Sequence, residues 1–372
     1  MNIQRVTKVA SANSDRSLIV KPDFSFTHNH YVPVIKSKKG ELWALEGLKA
    51  ASNPFVTPLV ELHRSDSTPA DHAMKVRNRL TQAWPNRPFF VDTLLWGVSG
   101  PQAVTAAQTM FQGMQYAKEL LYVPVTGLGR SPSYQAAIGA AVAAASHGVV
   151  LRLRLIDFAT PSTLSSKIGA LLQLLKCGPE ITDIVIDYGA QTDGSALEEL
   201  IREHVAVLPL VKRWRTLTVA AGSFPSSLGG IPANQWIDLE REEWGGWQGA
   251  IGGAPPLARV PAFGDYGIRD TQPPPAFGSP APNIRYTTDG SFLVRRGQTL
   301  VKNGGSDEIF PICASLAQRQ EFRGADFSAG DAEIAERAEN EDSPGNAGDW
   351  VAWGMSHHFE TVVSEIQSPL AP

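Results

Sequence analysis

The chain has 372 residues, of which 43% are hydrophobic and 19% are charged, and its formal net charge is −4. This composition is typical of a globular protein that buries a large apolar core without disulfides. The small negative charge argues against general binding to nucleic acids or to anionic membranes. The two cysteines, Cys177 and Cys313, form no metal-binding or redox motif, which favours a reducing compartment.

Residues 1–30 are expected to form a polar N-terminal arm ahead of the folded part of the chain. Their first stretch, MNIQRVTKVASANSDRS, lacks the apolar core of a secretory signal. No later apolar run has the length of a membrane span. The sequence therefore predicts a cytoplasmic protein that does not insert into a membrane.

Eight short apolar runs, most of which end in a charged residue, decide the fold prediction. Most runs are apolar at consecutive positions, which is typical of parallel strands buried on both faces. The runs occupy residues 31–36, 55–61, 88–92, 121–126, 149–157, 181–187, 214–220 and 257–265. Eight strand–helix units predict a (β/α)8 barrel of the TIM type, in which the chemistry lies at the carboxyl ends of the strands.

Helix start and stop signals between the runs support this count. Ser131-Pro132 and Thr160-Pro161 each place a capping residue before a proline at the first helical position, and Gly148 fits a helix end. Strands that alternate with helices predict a parallel sheet with right-handed crossovers. An open doubly wound sheet is the main alternative. No GxGxxG or GxxxxGK[ST] motif follows a strand, which removes its two commonest nucleotide-binding forms.

The regular alternation stops after the eighth run. Residues 270–283 are rich in proline, and residues 284–297 predict a β-hairpin because Asp289-Gly290 is a type I′ turn signal. Since the hairpin follows the loop after the eighth strand, we expect it to lie over the carboxyl-end mouth of the barrel. It would then bring Arg285 towards the acidic strand ends.

Residues 349–367 have apolar residues at helical spacing and predict the closing helix of the barrel. The stretch before them is too poor in apolar runs to indicate a separate domain. The sequence thus predicts one barrel domain over residues 31–365, with an insertion at about 266–349.

Several motifs together are specific enough to suggest a family. They are YVPVIKSKKGELWAL, PLVEL, VDTLL, DIVIDYGA, FGDYGI, IRYTTDGSFLVRRG, and SAGD followed by W…HH. In these motifs, over about residues 31–365, the chain resembles the protein beta family of phages, prophages and bacteria. The resemblance implies a phage- or prophage-linked protein of an anti-phage defence or toxin-control module, with another protein of that module as a partner. It assigns no reaction and no catalytic residue.

The charged strand ends are the candidate catalytic residues: Lys36, Glu61, Asp92, Asp187 and Asp265. In a barrel these ends meet at one mouth. Carboxylates that converge in a partly buried site hold a cation, pair with a base, or have pKa values suited to acid–base chemistry. A divalent metal is one such cation, and the sequence leaves its presence open.

Five further residues are candidate ligand-binding residues. Lys38 and Arg285 supply positive charge for an anion. Tyr188 and Tyr266 each follow an aspartate in a D-Y-G arrangement and could stack on a base or sugar, or donate a hydrogen bond. His357 belongs to the adjacent pair of histidines and could carry a proton.

Two functions fit these features. The first is a hydrolase or lyase that acts on an anionic small molecule, which would be phosphorylated, nucleotide or sugar-like. The second is a catalytically inactive barrel that acts as a regulatory or neutralising binding partner. An enzyme requires an open mouth with converging charges, whereas a binding module would have the mouth covered by the insertion and an apolar patch exposed elsewhere.

Overall fold

The computed structural model describes residues 23–63, 65–96, 101–272 and 280–368. The strands are β1 (Val34–Lys36), β2 (Leu59–Glu61), β3 (Pro88–Asp92), β4 (Leu121–Thr126), β5 (Val149–Arg154), β6 (Thr182–Ala190), β7 (Thr216–Gly222), β8 (Ile237–Glu240), β9 (Ala262–Asp265), β10 (Asn283–Thr287) and β11 (Ser291–Arg296). The helices are α1 (Lys39–Glu46), α2 (Pro69–Ala83), α3 (Pro101–Met114), α4 (Pro132–Ala145), α5 (Leu155–Phe158), α6 (Pro161–Leu175), α7 (Gly194–Val207), α8 (Glu242–Gly252), α9 (Ile309–Ala317), α10 (Ala329–Glu339) and α11 (Ala347–Gln367).

Eight parallel strands form the barrel in the order β1-β2-β3-β4-β5-β6-β7-β9. The first and last strands meet ahead of β1, where Tyr31 bridges Phe263 and the Val32 amide donates to the Phe263 carbonyl at 2.9 Å. The predicted (β/α)8 barrel is therefore confirmed, and the open sheet is wrong. The short strand β8 was not predicted, because its sequence IDLE is polar at alternate positions and partly exposed.

Side chains alternate between the inside and the outside of the barrel along each strand. The inward side chains of the lower layers form one apolar cluster, which includes Val34, Leu59, Phe90, Val150 and Val185. The residues two positions further along the same strands are charged. They form the layer nearest the carboxyl-end mouth, so the strand pattern itself brings charges together above an apolar floor.

The end of the predicted N-terminal arm packs against the opposite end of the barrel. Phe24 and Phe26 contact the inward apolar cluster, and the Phe26 ring stacks on His30 with centroids 4.1 Å apart. These contacts cover the apolar floor from below. Residues 1–22 of the arm lie outside the described residues.

The C-terminal part of the chain adds a second, antiparallel sheet in the order β10-β11-β8. Its predicted hairpin is present, and Gly290 has a positive φ of 76°. Asp289 does not share this positive φ, so the turn is not the predicted type I′, which needs it at both central residues. The sheet packs with α9, α10 and α11 around a small apolar cluster of its own. Helix α11 also packs against α1 and is the eighth helix of the barrel. It therefore contacts the barrel on one side and the insertion on the other.

Replacing Gly264 by alanine should loosen the seam that closes the barrel. An added Cβ would lie 2.7 Å from the Val32 carbonyl oxygen, too close without a backbone shift. We expect G264A to lower the free energy of unfolding by about 1–3 kcal/mol in urea denaturation. As a matched control, G169A in an exposed turn of α6 meets no atom within 4 Å and should raise it by about 0.5–1 kcal/mol. Equal effects of the two substitutions would contradict this account.

Candidate functional site

An arginine inside the barrel binds three carboxylates. Arg152 faces inward from β5, and its side chain is 1% exposed. Its Nη1 donates to Glu61 Oε1 at 2.9 Å and to Asp92 Oδ2 at 2.8 Å. Its Nε donates to Asp187 Oδ2 at 3.0 Å, and its Nη2 donates to the Tyr266 hydroxyl at 2.8 Å. A buried guanidinium requires this compensation, since removing water from an unpaired charge is costly.

Two more arginines bind the same carboxylates from the mouth side. Arg130 Nη2 donates to both oxygens of Asp92, at 2.9 and 3.1 Å. Arg154 Nη2 lies 3.3 Å from Asp187 Oδ2, and the Arg154 side chain is 47% exposed. Because Arg154 keeps much of its surface open, it can also contact a ligand in the mouth.

Tyr266 belongs to the same network. Its hydroxyl donates to Asp187 Oδ1 at 2.8 Å, and the Gly189 amide donates to the same oxygen at 3.0 Å. Burial, followed by the negative charge of Asp187, raises the pKa of Tyr266 well above its ordinary value. The phenol therefore stays protonated and remains a hydrogen-bond donor.

Glu61 is the carboxylate with spare bonding capacity. Its Oε2 is buried and makes no hydrogen bond to any described residue, while Oε1 accepts from Arg152. Burial raises the pKa of Glu61, and the charges of Arg152 and Lys36 act against that rise. Such a carboxyl can hold a proton nearer to neutral pH than an ordinary glutamate does.

Lys36 lies near Glu61, whereas Lys38 lies near Glu41. Burial lowers the pKa of Lys36, which is 3% exposed and donates to the Asp270 carbonyl at 3.3 Å. Its Nζ is 6.0 Å from the centre of the Tyr266 ring. Burial also lowers the pKa of Lys38, and the charge of Arg269 acts in the same direction. Lys36 therefore adds a second cationic group, besides Arg152, near Glu61.

A cavity of about 350 Å³ opens at this mouth. Its charged and polar wall includes Glu61, Arg154, Asp187 and Tyr266. The remaining wall is partly apolar: it includes Leu155 and Ile156, together with the polar Thr271 and Gln272. The carboxylate–arginine network thus borders a space of the size that small ligands occupy.

The model of the Beta protein family matches residues 31–364. The chain belongs to the Beta protein family. The predicted family resemblance is confirmed over the same span, and the match includes the whole barrel and the insertion. The comparison with curated proteins gives no match.

One solved structure similar to this Beta family protein is the biosynthetic arginine decarboxylase SpeA from Campylobacter jejuni. The alignment covers 91% of this chain and 56% of the decarboxylase, with 11% sequence identity and a TM-score of 0.41. The chain thus spans a little over half of that enzyme's length.

The expectation that Asp265 joins the other carboxylates is wrong. Asp265 points to the outside of the barrel, where the Tyr31 hydroxyl donates to its Oδ1 at 2.6 Å and His358 Nε2 lies 2.9 Å from its Oδ2. The reason is the alternation of side chains along β9 and the residue after it, which turns Tyr266 inward instead. Asp265 thereby anchors α11 to the barrel.

Two candidate ligand-binding residues of this Beta family protein have their polar groups bonded elsewhere in the protein. Tyr188 borders the cavity, but its ring stacks on His204 with centroids 5.6 Å apart and its hydroxyl donates to a backbone carbonyl. His357 is fully buried, with Nδ1 2.8 Å from Asp331 Oδ2 and Nε2 2.8 Å from the Thr287 carbonyl. Its proton cannot reach the mouth.

Arg285 also does not contact the acidic strand ends. The hairpin packs on α11, and no hairpin residue borders the mouth cavity. Arg285 Nη1 instead donates to the Ile268 carbonyl at 2.9 Å. The hairpin was expected over the mouth because its connection to the barrel is short, but apolar packing on α11 decides its position.

Arg130, Arg152 and Arg154 are functional-site residues that the sequence pattern did not predict. A signal was available for the last two, because the run VVLRLR places two arginines on the same face of a strand that is otherwise apolar. A charge inside a buried strand requires a partner of opposite sign. Arg130 lies in a loop, and its partner could not be identified from spacing.

A metal-binding cluster and a membrane-spanning helix are both absent from residues 23–63, 65–96, 101–272 and 280–368, the residues that the structure describes. No group of three or more His, Cys, Asp or Glu side chains there is arranged to hold a metal ion. No helix in that part of the chain combines the length and apolar character needed to cross a bilayer.

Replacing Arg152 by glutamine should destabilise the protein strongly. It would leave buried carboxylates without their cation, at a cost of about 3–5 kcal/mol. A carboxyl whose pKa is raised in the folded state stabilises the fold below its unfolded pKa, and this stabilisation is lost as pH rises. The loss measured by urea denaturation should therefore be larger near pH 7 than near pH 5.

The matched control is R154Q, which removes the same charge from a half-exposed position. We expect it to change the free energy of unfolding by less than about 1 kcal/mol, since exposed ion pairs contribute little. A cost for R152Q that equals that of R154Q would contradict a network held by Arg152.

Proposed function

We propose that this chain is an enzyme, a hydrolase or lyase, that acts on an anionic small molecule at the carboxyl-end mouth of the barrel. The proposal rests on the unsatisfied carboxyl group of Glu61 at the mouth cavity. Its buried Oε2 has no partner among the described residues, its pKa is raised by burial, and it borders the mouth cavity. A substrate atom in the cavity would supply the missing partner.

Hydrolysis and elimination both require a proton to be given to a leaving group or taken from a nucleophile or carbon atom. We assign the general-acid role to Glu61, because its raised pKa favours the protonated form. We assign the role of base to Lys36, whose pKa burial lowers and whose charge interacts with that of Glu61. Asp92 and Asp187 hold Arg152 in place, and Tyr266 orients Asp187.

The charge balance favours an anionic substrate. All three nitrogen atoms of Arg152 already contact protein oxygens, so Arg152 positions the carboxylates and has little left for a ligand. Arg154 is half-exposed at the cavity wall and can bind an anion directly. Phosphorylated, nucleotide and sugar-like anions all fit this chemistry.

The family assignment extends the proposal to a biological setting. We place the enzyme in the cytoplasm as a component of a phage- or prophage-linked defence or toxin-control module. Another protein of that module is its proposed partner.

A second candidate function, an inactive barrel that acts by binding, is favoured by one observation. Ile156 is 77% exposed and Leu155 is 42% exposed, and both lie on the rim of the mouth. Exposed apolar residues at one edge are typical of a surface that contacts another protein.

The E61Q variant tests the catalytic proposal. We expect a loss of about 100-fold or more in turnover in a screen of phosphorylated and nucleotide substrates, and loss of protection in a phage challenge. The exposed control E199Q should keep both activities and the melting temperature of the parent protein. E61Q should still fold, because glutamine keeps an oxygen that can accept from Arg152 and two other carboxylates compensate its charge, but its melting temperature should be lower than that of E199Q. If E61Q keeps protection while I156D abolishes it, the binding function replaces the catalytic one.

The pH dependence of turnover tests the assigned role of Glu61. A general acid must be protonated, so kcat/KM should fall as pH rises through its raised pKa. This descending limb should be absent from the residual activity of E61Q. A limb that survives the substitution would assign the acid role to another group.

A further inference from the structure

A second, smaller cavity of about 60 Å³ lies beside the mouth. It is formed between the loop after β7, which contributes Ser226, and the loop after β9, which contributes Arg269. Gln272 borders both this cavity and the mouth cavity, so the two are neighbours. Its volume corresponds to about two water molecules. It can hold a single small anionic group but not a ring.

Arg285 borders this cavity, and it forms no salt bridge with a carboxylate in the part of the chain that the structure describes. Its Nε donates to Asn283 Oδ1 at 3.1 Å, its Nη1 donates to the Ile268 carbonyl at 2.9 Å, and the Phe224 ring lies 4.8 Å from its Cζ. Its Nη2 makes no hydrogen bond to any residue that the structure describes. A fixed guanidinium with an open donor is preorganised to bind an anion.

Burial lowers the pKa of Arg285 to about 9, and the nearby charge of Arg269 contributes to the lowering. Arg285 thus remains positively charged at neutral pH, although its surroundings disfavour the charge. A partly buried cation of this kind is stabilised by an anion that arrives with a ligand.

Arg269, the second arginine of this cavity, is only weakly paired. Its Nε lies 3.5 Å from Glu41 Oε1, and burial raises the pKa of Glu41, which weakens that residue as a counter-ion. Asp270 also borders the cavity, and its Oδ1 accepts from the Gln272 amide at 2.9 Å and from the Thr271 hydroxyl at 3.3 Å. Two arginines against one aspartate leave the cavity positive.

We propose that Arg269 and Arg285 form a phosphoryl-binding subsite, which anchors a phosphorylated substrate whose reacting part lies beside Glu61 in the mouth cavity. This inference rests on the proposed function and adds the substrate class. The open Nη2 of Arg285 and the weakly paired guanidinium of Arg269 can donate charge-assisted hydrogen bonds to different oxygens of one phosphoryl group. The loops after the seventh and eighth strands of a TIM-type barrel also often form a phosphate site.

The test is the affinity of the full chain for inorganic phosphate, measured by calorimetry. Loss of one charge-assisted contact weakens binding by about 10- to 100-fold, so R285Q and R269Q should each show a decrease of that size. The control R213Q removes an exposed arginine that precedes β7, at the opposite end of the barrel, and should leave the affinity unchanged. Unchanged affinity in both R285Q and R269Q would overturn the subsite.

Two further variants, R285K and E61Q, complete the test. If R285Q does not fold, R285K retains the charge without the fork and should bind phosphate more weakly than the parent; parental affinity in R285K and R269Q would refute the proposal. E61Q should bind phosphate with parental affinity, because Glu61 lies in the other cavity. Full turnover in E61Q together with arginine-dependent phosphate binding would remove the catalytic proposal and leave the subsite.

Discussion

The burial of Arg152 inside the barrel is the constraint on which the site depends. An ionised guanidinium in an apolar interior is tolerated only with partners of opposite charge, and three different strands supply carboxylates to Arg152. The residue after a fourth strand, Tyr266, adds a neutral hydroxyl that accepts a hydrogen bond. Once these bonds are made, the carboxylates are fixed relative to one another. Within the described part of the network, Glu61 Oε2 and the exposed part of Arg154 keep free bonding capacity and border the mouth cavity.

Helix α11 decides where the insertion lies. Neighbouring residues on a helix point about 100° apart, so its two adjacent histidines have different partners. His358 joins Asp265 of the barrel to Thr287 of the hairpin, whereas His357 contacts Asp331 on α10 of the insertion. The insertion is thereby fixed to the outer face of the barrel, and its hairpin does not border the mouth cavity.

The two cavities divide the proposed work of the protein. In the mouth cavity, opposite charges are close and largely compensate one another, which suits proton transfer by groups with shifted pKa values. In the smaller cavity, positive charge is in excess and Arg285 is held by uncharged neighbours, which suits binding of an anion. Arg285, on strand β10 of the insertion, borders the smaller cavity and donates to the Ile268 carbonyl. The insertion therefore contributes one side chain to the proposed site and does not cover the mouth.

The sequence by itself determined the order of the elements and the end of the barrel at which charges collect. Buried parallel strands and capped helices are local patterns, and the barrel geometry then places Glu61, Asp92 and Asp187 at one mouth. The same reasoning failed for Asp265, because a shift of one residue along a strand exchanges inside for outside. Only the tertiary structure decided which face each side chain took, that Arg152 would join the carboxylates, and that the hairpin would pack on α11. Each of these depends on contacts between residues far apart in the chain, which no local pattern specifies.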